Sequence, residues 1–214
     1  MKIKLLSEFL GMLMLTMSVV GSGIMAQNLN GDNHGLTLLS NSFATVATLI
    51  LIIITFRQSS GAHFNPIVSL SFFYQKKINF TTLYSYIGIQ IFAGILAILI
   101  IHYIFNLPLI QFSENDRSGF HIMFSEVLAS FFLIFLILMS QEKDDATVAM
   151  VVGLYIGSAY FFTSSTSFAN PAITIARSLT DTFTGIHPLN IFGFMVSQIF
   201  GCLLATILYK KITK

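Results

Sequence analysis

Six blocks of 17 to 23 predominantly apolar residues, at 5–26, 36–56, 83–105, 122–139, 146–162 and 188–209, constrain this chain more than any other feature. A helix needs about 20 such residues to cross the hydrocarbon core of a bilayer, and in lipid only helices or closed barrels satisfy the backbone internally. Blocks of this length predict helices. Charged residues make up 9% of the 214, against about 25% in a soluble domain, which excludes a water-soluble globule. Six crossings with short loops use the whole chain and leave no room for an appended soluble domain. The net charge of +2 gives no argument for nucleic acid as a partner, and the single Cys202 excludes an intrachain disulfide. The first block has the look of a secretory signal peptide, with Lys2 and Lys4 ahead of an apolar run. Glu8 inside that run favours a first membrane helix instead.

Two further segments, 64–73 and 169–179, are about ten residues long, half a bilayer at 1.5 Å per residue. Each holds an Asn-Pro near its start, Asn65-Pro66 and Asn170-Pro171. Pro is tolerated in a helix's first turn because its missing N–H would be unpaired there anyway. These segments are expected to be half-helices that enter the membrane and stop. With six crossings and both termini on one side, Lys2, Lys4, Arg57, Lys76, Lys77, Lys143, Lys210, Lys211 and Lys214 share that side, and only Arg117 and Arg177 lie opposite. The positive-inside rule makes the crowded side cytoplasmic.

The chain also repeats itself. Ser7-Glu8-Phe9-Leu10 is echoed by Ser125-Glu126-Val127-Leu128, His63-Phe64-Asn65-Pro66 by Phe168-Ala169-Asn170-Pro171, and Gln90-Ile91-Phe92 by Gln198-Ile199-Phe200. The offsets for the Glu, Asn and Gln pairs are 118, 105 and 108 residues, which reads as one duplication into halves of approximately 1–110 and 118–214. Three crossings per half is an odd number, so the halves have opposite orientation.

Two re-entrant segments from inverted halves meet near the midplane, each presenting a helix N-terminus worth about half a positive charge, beside the side chains of Asn65 and Asn170. Such a spot repels cations and suits neutral polar molecules. Glu8 and Glu126 need partners at this depth. Their duplicated placement points to the amides of the re-entrant loops. Snorkelling, or protonation between helices, is the plainer use of each. Interhelical hydrogen bonding suffices to explain Gln90 and Gln198.

Paired Asn-Pro motifs, Asn65-Pro66-Ile67 and Asn170-Pro171-Ala172, on duplicated half-helices with a Glu in the first helix of each half, resemble the major intrinsic proteins, the aquaporins and glycerol facilitators. The resemblance covers essentially the whole chain. It implies an all-α membrane protein: a right-handed bundle of six transmembrane helices plus two re-entrant half-helices. It further implies a homotetramer in the bilayer of a bacterial inner membrane, one passive pore per subunit, and neither cofactor, metal nor catalytic residue.

The sequence departs from the family at the constriction. Ile173 stands directly after the second motif, where the family carries Arg. Family spacing places Thr45, Ser158 and Ser167 beside it, a ring without aromatic, His or charge. Such a ring is expected to pass glycerol-like polyols, urea, and arsenous or boric acid as well as water. A water-selective aquaporin is the alternative. A coupled secondary transporter shares the inverted repeat, but needs ionisable groups near its site, and Glu8 and Glu126 are the only deep acids. Arg177, one turn beyond Ile173, has two readings: a charge in the outer vestibule, held by Asp181, or a cap on the half-helix and lipid headgroups. Ile67 either narrows the midplane or packs away from it, and Cys202 reads as a packing residue.

Overall fold

Six long helices and two short ones organise the computed structural model, which describes residues 1–213. Lys214, one of the nine clustered cations, lies outside the described residues. In chain order they are α1 (Lys2–Asn30), α2 (His34–Ser60), α3 (Pro66–Tyr74), α4 (Phe80–Ile104), α5 (Phe120–Ser140), α6 (Asp145–Phe162), α7 (Pro171–Arg177) and α8 (Ile191–Ile212). A 3-10 turn, Pro188–Asn190, leads into α8. No strand occurs among the described residues.

The long helices outrun several of the apolar blocks because local capping, and not hydropathy, decides where a helix stops. Helix α1 runs through the polar residues Gln27 to Asn30 until Gly31, whose φ of 55° ends it with its N–H on the Gln27 carbonyl. Helix α2 ends at Gly61, in the left-handed region at φ 93°, with its N–H on Arg57. Side chains of Asn33, Asn79 and Asp144 accept hydrogen bonds from Leu36, Thr82 and Thr147 N–H at the starts of α2, α4 and α6, which supplies acceptors to otherwise orphaned donors.

Helix α1 packs along α2 and α4, α5 along α8 and α6, and α2 against α6 across the two halves. The short helices bridge them: α3 rests on α4 and α8, and α7 on the same two. Glycine permits close approach between elements, most tightly at two helix positions. A Cβ on Gly201 of α8 would sit 2.3 Å from the Val127 carbonyl oxygen of α5, and one on Gly11 of α1 would sit 2.1 Å from the Phe64 ring.

Large apolar side chains such as Phe43, Leu51, Phe92 and Phe200 are exposed on the outside, while Glu8, Gln90, Glu126 and Gln198 are fully buried. That is the inverse of a soluble protein. A surface of this kind is satisfied by acyl chains, and the six long helices are apolar enough for a bilayer.

Candidate functional site

The two half-helices meet through their N-caps. Asn65 Oδ1 accepts from Ile67 N–H at 3.0 Å, and Asn170 Oδ1 accepts from Ala172 N–H at 3.1 Å. Each Asn then reaches across: Asn65 Nδ2 donates to the Ala169 carbonyl at 2.7 Å, and Asn170 Nδ2 to the Phe64 carbonyl at 2.9 Å. The caps therefore also tie one loop to the other.

The loops before the caps are backbone-strained. Ala62 and Phe64 have φ of 51° and 47°, and Ser167 and Ala169 have 50° and 43°. Non-glycine residues in this region cost on the order of 1–3 kcal/mol each. Two buried carboxylates hold them. Glu8 Oε1 accepts from His63 N–H at 2.9 Å and from Ser60 Oγ at 2.8 Å, while Oε2 accepts from Phe64 N–H at 2.7 Å and Gln90 Nε2 at 2.8 Å. Glu126 accepts from Phe168 and Ala169 N–H at 2.9 Å each, and from Gln198 Nε2 at 2.8 Å. Gln90 and Gln198 thus do more than join helices. Each also donates to a hydroxyl in the half-helix, Ser69 or Thr174, which in turn bonds the N-cap carbonyl.

A cavity of about 430 Å³ runs past both caps. At one end it is lined by Arg57, Gln58, Lys77, Gln141 and Asp145, in the middle by His63 to Asn65 and Ala169 to Asn170, and at the other end by Thr45, Tyr160, Ser167, Phe168, Ile173 and Arg177. At the first end Arg57 pairs with Asp145 and donates to the Lys143 carbonyl, while Lys77 donates to Gln141 and Glu142. His63 Nδ1 is 3.0 Å from Ser69 Oγ.

Of the four residues expected at the constriction, Thr45, Ser167 and Ile173 line this cavity and Ser158 does not. Ser158 is exposed on the outer face of α6, with its hydroxyl on the Leu154 carbonyl of its own helix. The reason is helical phase. The α6 residues that line the cavity are Asp145, Val148, Val152, Ile156 and Tyr160, a stripe at three- and four-residue spacing. Position 158 is about 200° around the helix from 160. The expectation of a ring without an aromatic is corrected accordingly: Tyr160 occupies the place given to Ser158. Its Oη lies 3.3 Å from Thr45 Oγ1. The Thr45 hydroxyl already donates to the Asn41 carbonyl, so Tyr160 is the donor in that contact and its own oxygen stays free to accept.

Arg177 is buried, 3% exposed, and lies over the Phe168 ring with its guanidinium carbon 3.4 Å from the centroid. Its Nε donates to the Thr184 carbonyl. Asp181 does not hold it: that carboxylate accepts from Glu114 N–H at 3.0 Å. Ile67 turns away from the cavity into a cluster with Val68, Ile134, Leu138, Cys202 and Ala205, and Cys202 Sγ contacts the Ile67 carbonyl at 3.2 Å. Arg117 also lies over Phe168, at 5.2 Å, with its Nε on the Gly185 carbonyl. Burial pushes the Arg117 guanidinium below its ordinary value.

Paired capping asparagines, strained loops held by carboxylates and a cavity past both are the parts that identify the chain. The sequence pattern of the major intrinsic proteins matches residues 1–167. The chain belongs to the major intrinsic protein family. It is 40% identical over 204 residues to the aquaglyceroporin AqpS of Rhizobium meliloti, covering 95% of this chain and 87% of that one. It is 26% identical to aquaporin NIP2-2 of Zea mays over 86% of this chain and 64% of the relative. In fold it matches the X-ray structure of the aquaglyceroporin from Plasmodium falciparum with a TM-score of 0.70, over 96% of this chain and 92% of that one, at 18% identity. Major intrinsic proteins are channels and not enzymes, and among the described residues there is no cluster of His, Cys, Asp or Glu able to hold a metal ion.

Proposed function

We propose that the chain is a passive channel for small neutral solutes, forming one channel domain of two oppositely oriented halves, approximately 1–110 and 118–214. The observation that carries this reading is the lumen itself, about 430 Å³ past two capped helix N-termini. Asn65 and Asn170 are its polar midplane, and the two positive helix ends disfavour cations there. Glu8 and Glu126 are anchors for the loops, occupied by amide donors and, at Glu8, by the Ser60 hydroxyl, which argues against a coupled transporter that needs a deep titrating acid. The filter is the ring of Thr45, Tyr160, Ser167 and Ile173, with Arg177 at its outer side. The physiological assembly is a homotetramer in a bacterial inner membrane with both termini cytoplasmic, in keeping with the cations gathered at the Arg57 end.

A hydroxylated ring next to an aliphatic Ile173 suits glycerol-like polyols, urea and neutral arsenous or boric acid, alongside water. The name of the 40% identical relative, an aquaglyceroporin, favours the same class. Tyr160 and Arg177 favour the second reading, a water-selective aquaporin, because an aromatic and a guanidinium both narrow the outer end. Stopped-flow swelling of proteoliposomes in water, glycerol, urea, arsenous acid and boric acid separates the two. Glycerol and metalloid hydroxides entering well above the empty-liposome rate support the first. Water flux alone overturns it in favour of the second.

A further inference from the structure

A lipid-facing stripe on α4 carries a gap that nothing inside the chain explains. Phe80, Tyr84, Gly88 and Phe92 stand four residues apart on one face of the helix, and all four are exposed. A Cβ on Gly88 would meet nothing within 4 Å. Every other glycine beyond the first turn of a long helix would bring a Cβ to 3.4 Å or less from a neighbouring atom. Those glycines let other parts of the chain close in. Glycine inside a helix is less stable than alanine, and at position 88 no packing within the chain offsets that loss. The notch faces something outside the chain.

The stripe starts beside a basic hollow. About 420 Å³ in volume, the hollow is lined by Phe73, Tyr74, Lys76, Lys77, Ile78 and Asn79, between the end of α3 and the start of α4. The Phe73 ring meets the Phe80 ring at 6.1 Å between centroids, and Phe80 meets Tyr84 at 5.3 Å, so hollow and stripe form one continuous surface. Lys210 adds a second cation at its edge, over the Tyr74 ring at 4.1 Å with Nζ on the Tyr74 carbonyl. The acids near this surface are taken: Asp145 by Arg57, Glu142 by Lys77, and Asp144 by the cap of α6. Lys76 is exposed and has no ion pair among the described residues. Its φ of 62° puts it in the left-handed region just past α3, where Gly or Asn is the usual residue. The turn favours another residue at 76, so the side chain accounts for the lysine.

We propose that this face is a binding site for one anionic phospholipid, with its phosphate at the hollow against Lys76 and Lys210 and one acyl chain laid along α4 in the notch at Gly88. From Phe80 to Phe92 the helix rises about 18 Å, close to the ~15 Å depth of one leaflet's hydrocarbon. A chain of one leaflet therefore runs the length of the stripe and ends where Phe92 stacks with Phe9 of α1, at 6.1 Å between centroids. An anionic headgroup is drawn to juxtamembrane lysines, whereas a zwitterionic lipid offers the same chains without net charge. A second copy of the chain meeting this face through a two-fold axis would set Lys76 against Lys76. Like charge opposes that contact and favours the lipid.

Native mass spectrometry of the full-length protein in detergent, titrated with dioleoyl phosphatidylglycerol or dioleoyl phosphatidylcholine, tests the site. The first phosphatidylglycerol bound per chain is expected to hold about fivefold tighter than phosphatidylcholine, the effect of one lysine near an anionic surface. Lys76→Gln removes about that factor. Gly88→Leu fills the notch and weakens phosphatidylglycerol several-fold, while the melting temperature without lipid does not fall. Both positions are exposed, so both variants are expected to fold. Lys143→Gln, the same loss of charge in the exposed loop between α5 and α6, leaves lipid binding unchanged. Equal binding of the two lipids by the native chain overturns the proposal. So do equal losses in Lys76→Gln and Lys143→Gln, which would make the effect one of net charge. Displacement of the lipid by an equal concentration of inorganic phosphate overturns it in favour of a free anion. A changed oligomeric mass in Gly88→Leu with lipid binding unaltered gives the notch to a second copy instead. The readout is binding in detergent, so it stands or falls independently of which solutes pass.

Discussion

The two re-entrant loops are built on one plan and finished differently. In both, a carboxylate from the first helix of the half takes two successive loop amides, a Gln from the third full-length helix of the half completes it, and an Asn caps a short helix behind Pro. The first loop then presents His63, whose ring nitrogen turns back to Ser69, and Phe64, whose ring fills the space above Gly11. The second presents Ser167 with an idle hydroxyl and Phe168 under a guanidinium. What the loops share holds the backbone against strain. What they do not share lines the cavity in both, His63 and Phe64 in its middle and Ser167 and Phe168 toward the outer end, so the two halves of the lumen differ in chemistry.

The largest effect is expected where the loops agree. Glu8→Ala or Glu126→Ala leaves two buried amides without an acceptor, at about 1–3 kcal/mol each, and releases residues held at positive φ. Both variants should lose several kcal/mol and most of their yield of folded protein in detergent, with the ratio of glycerol to water flux unchanged in what survives. A normal melting temperature with altered solute preference would show that the carboxylates line the path.

A moderate effect is expected where the loops begin to differ. Gly11→Ala forces a Cβ into the Phe64 ring, an overpacking cost of roughly 1–3 kcal/mol. The positions that match these two in the second half, Ala129 and Ala169, show the other solution, a larger helix residue with a smaller loop residue. Adding Phe64→Ala to Gly11→Ala should recover part of the loss in a double-mutant cycle on thermal stability. Strict additivity of the two substitutions would mean that the contact is not what limits the site.

The smallest effect on stability, and the sharpest on transport, is expected at the second loop's facing wall. Tyr160→Ala should raise glycerol entry relative to water several-fold, while Ser158→Ala leaves both rates within error. If the two substitutions have equal effects in proteoliposome swelling, the phase of α6 is not what sets the constriction.

Much of this architecture is legible in the sequence because lipid enforces simple rules. Apolar blocks near twenty residues report the long helices, and Asn-Pro at the head of a ten-residue segment reports a half-helix. A buried Glu duplicated at matching places reports a loop that needs an acceptor. Side-chain identity at the constriction is less legible. Whether residue 158 or 160 faces the lumen depends on the rotational phase of α6, and two residues of uncertainty invert it. Asp181 looked like a neighbour for Arg177 at helical spacing, yet α7 ends at Arg177 and the chain turns, so the carboxylate meets the backbone of Glu114, 67 residues away. A contact of that separation leaves no mark in local pattern.

The exchange of hydrogen bonds between Asn65 and Ala169, and between Asn170 and Phe64, also sets a timetable. These partners are 104 and 106 residues apart, and α3 rests on α8, which is made well over 100 residues later. At about 5–20 residues per second of synthesis, the first loop waits roughly five to twenty seconds for the residues that complete it. Throughout that interval a short helix with its own apolar face has no finished berth. The first half's re-entrant segment is therefore complete only when the second half is present to receive it.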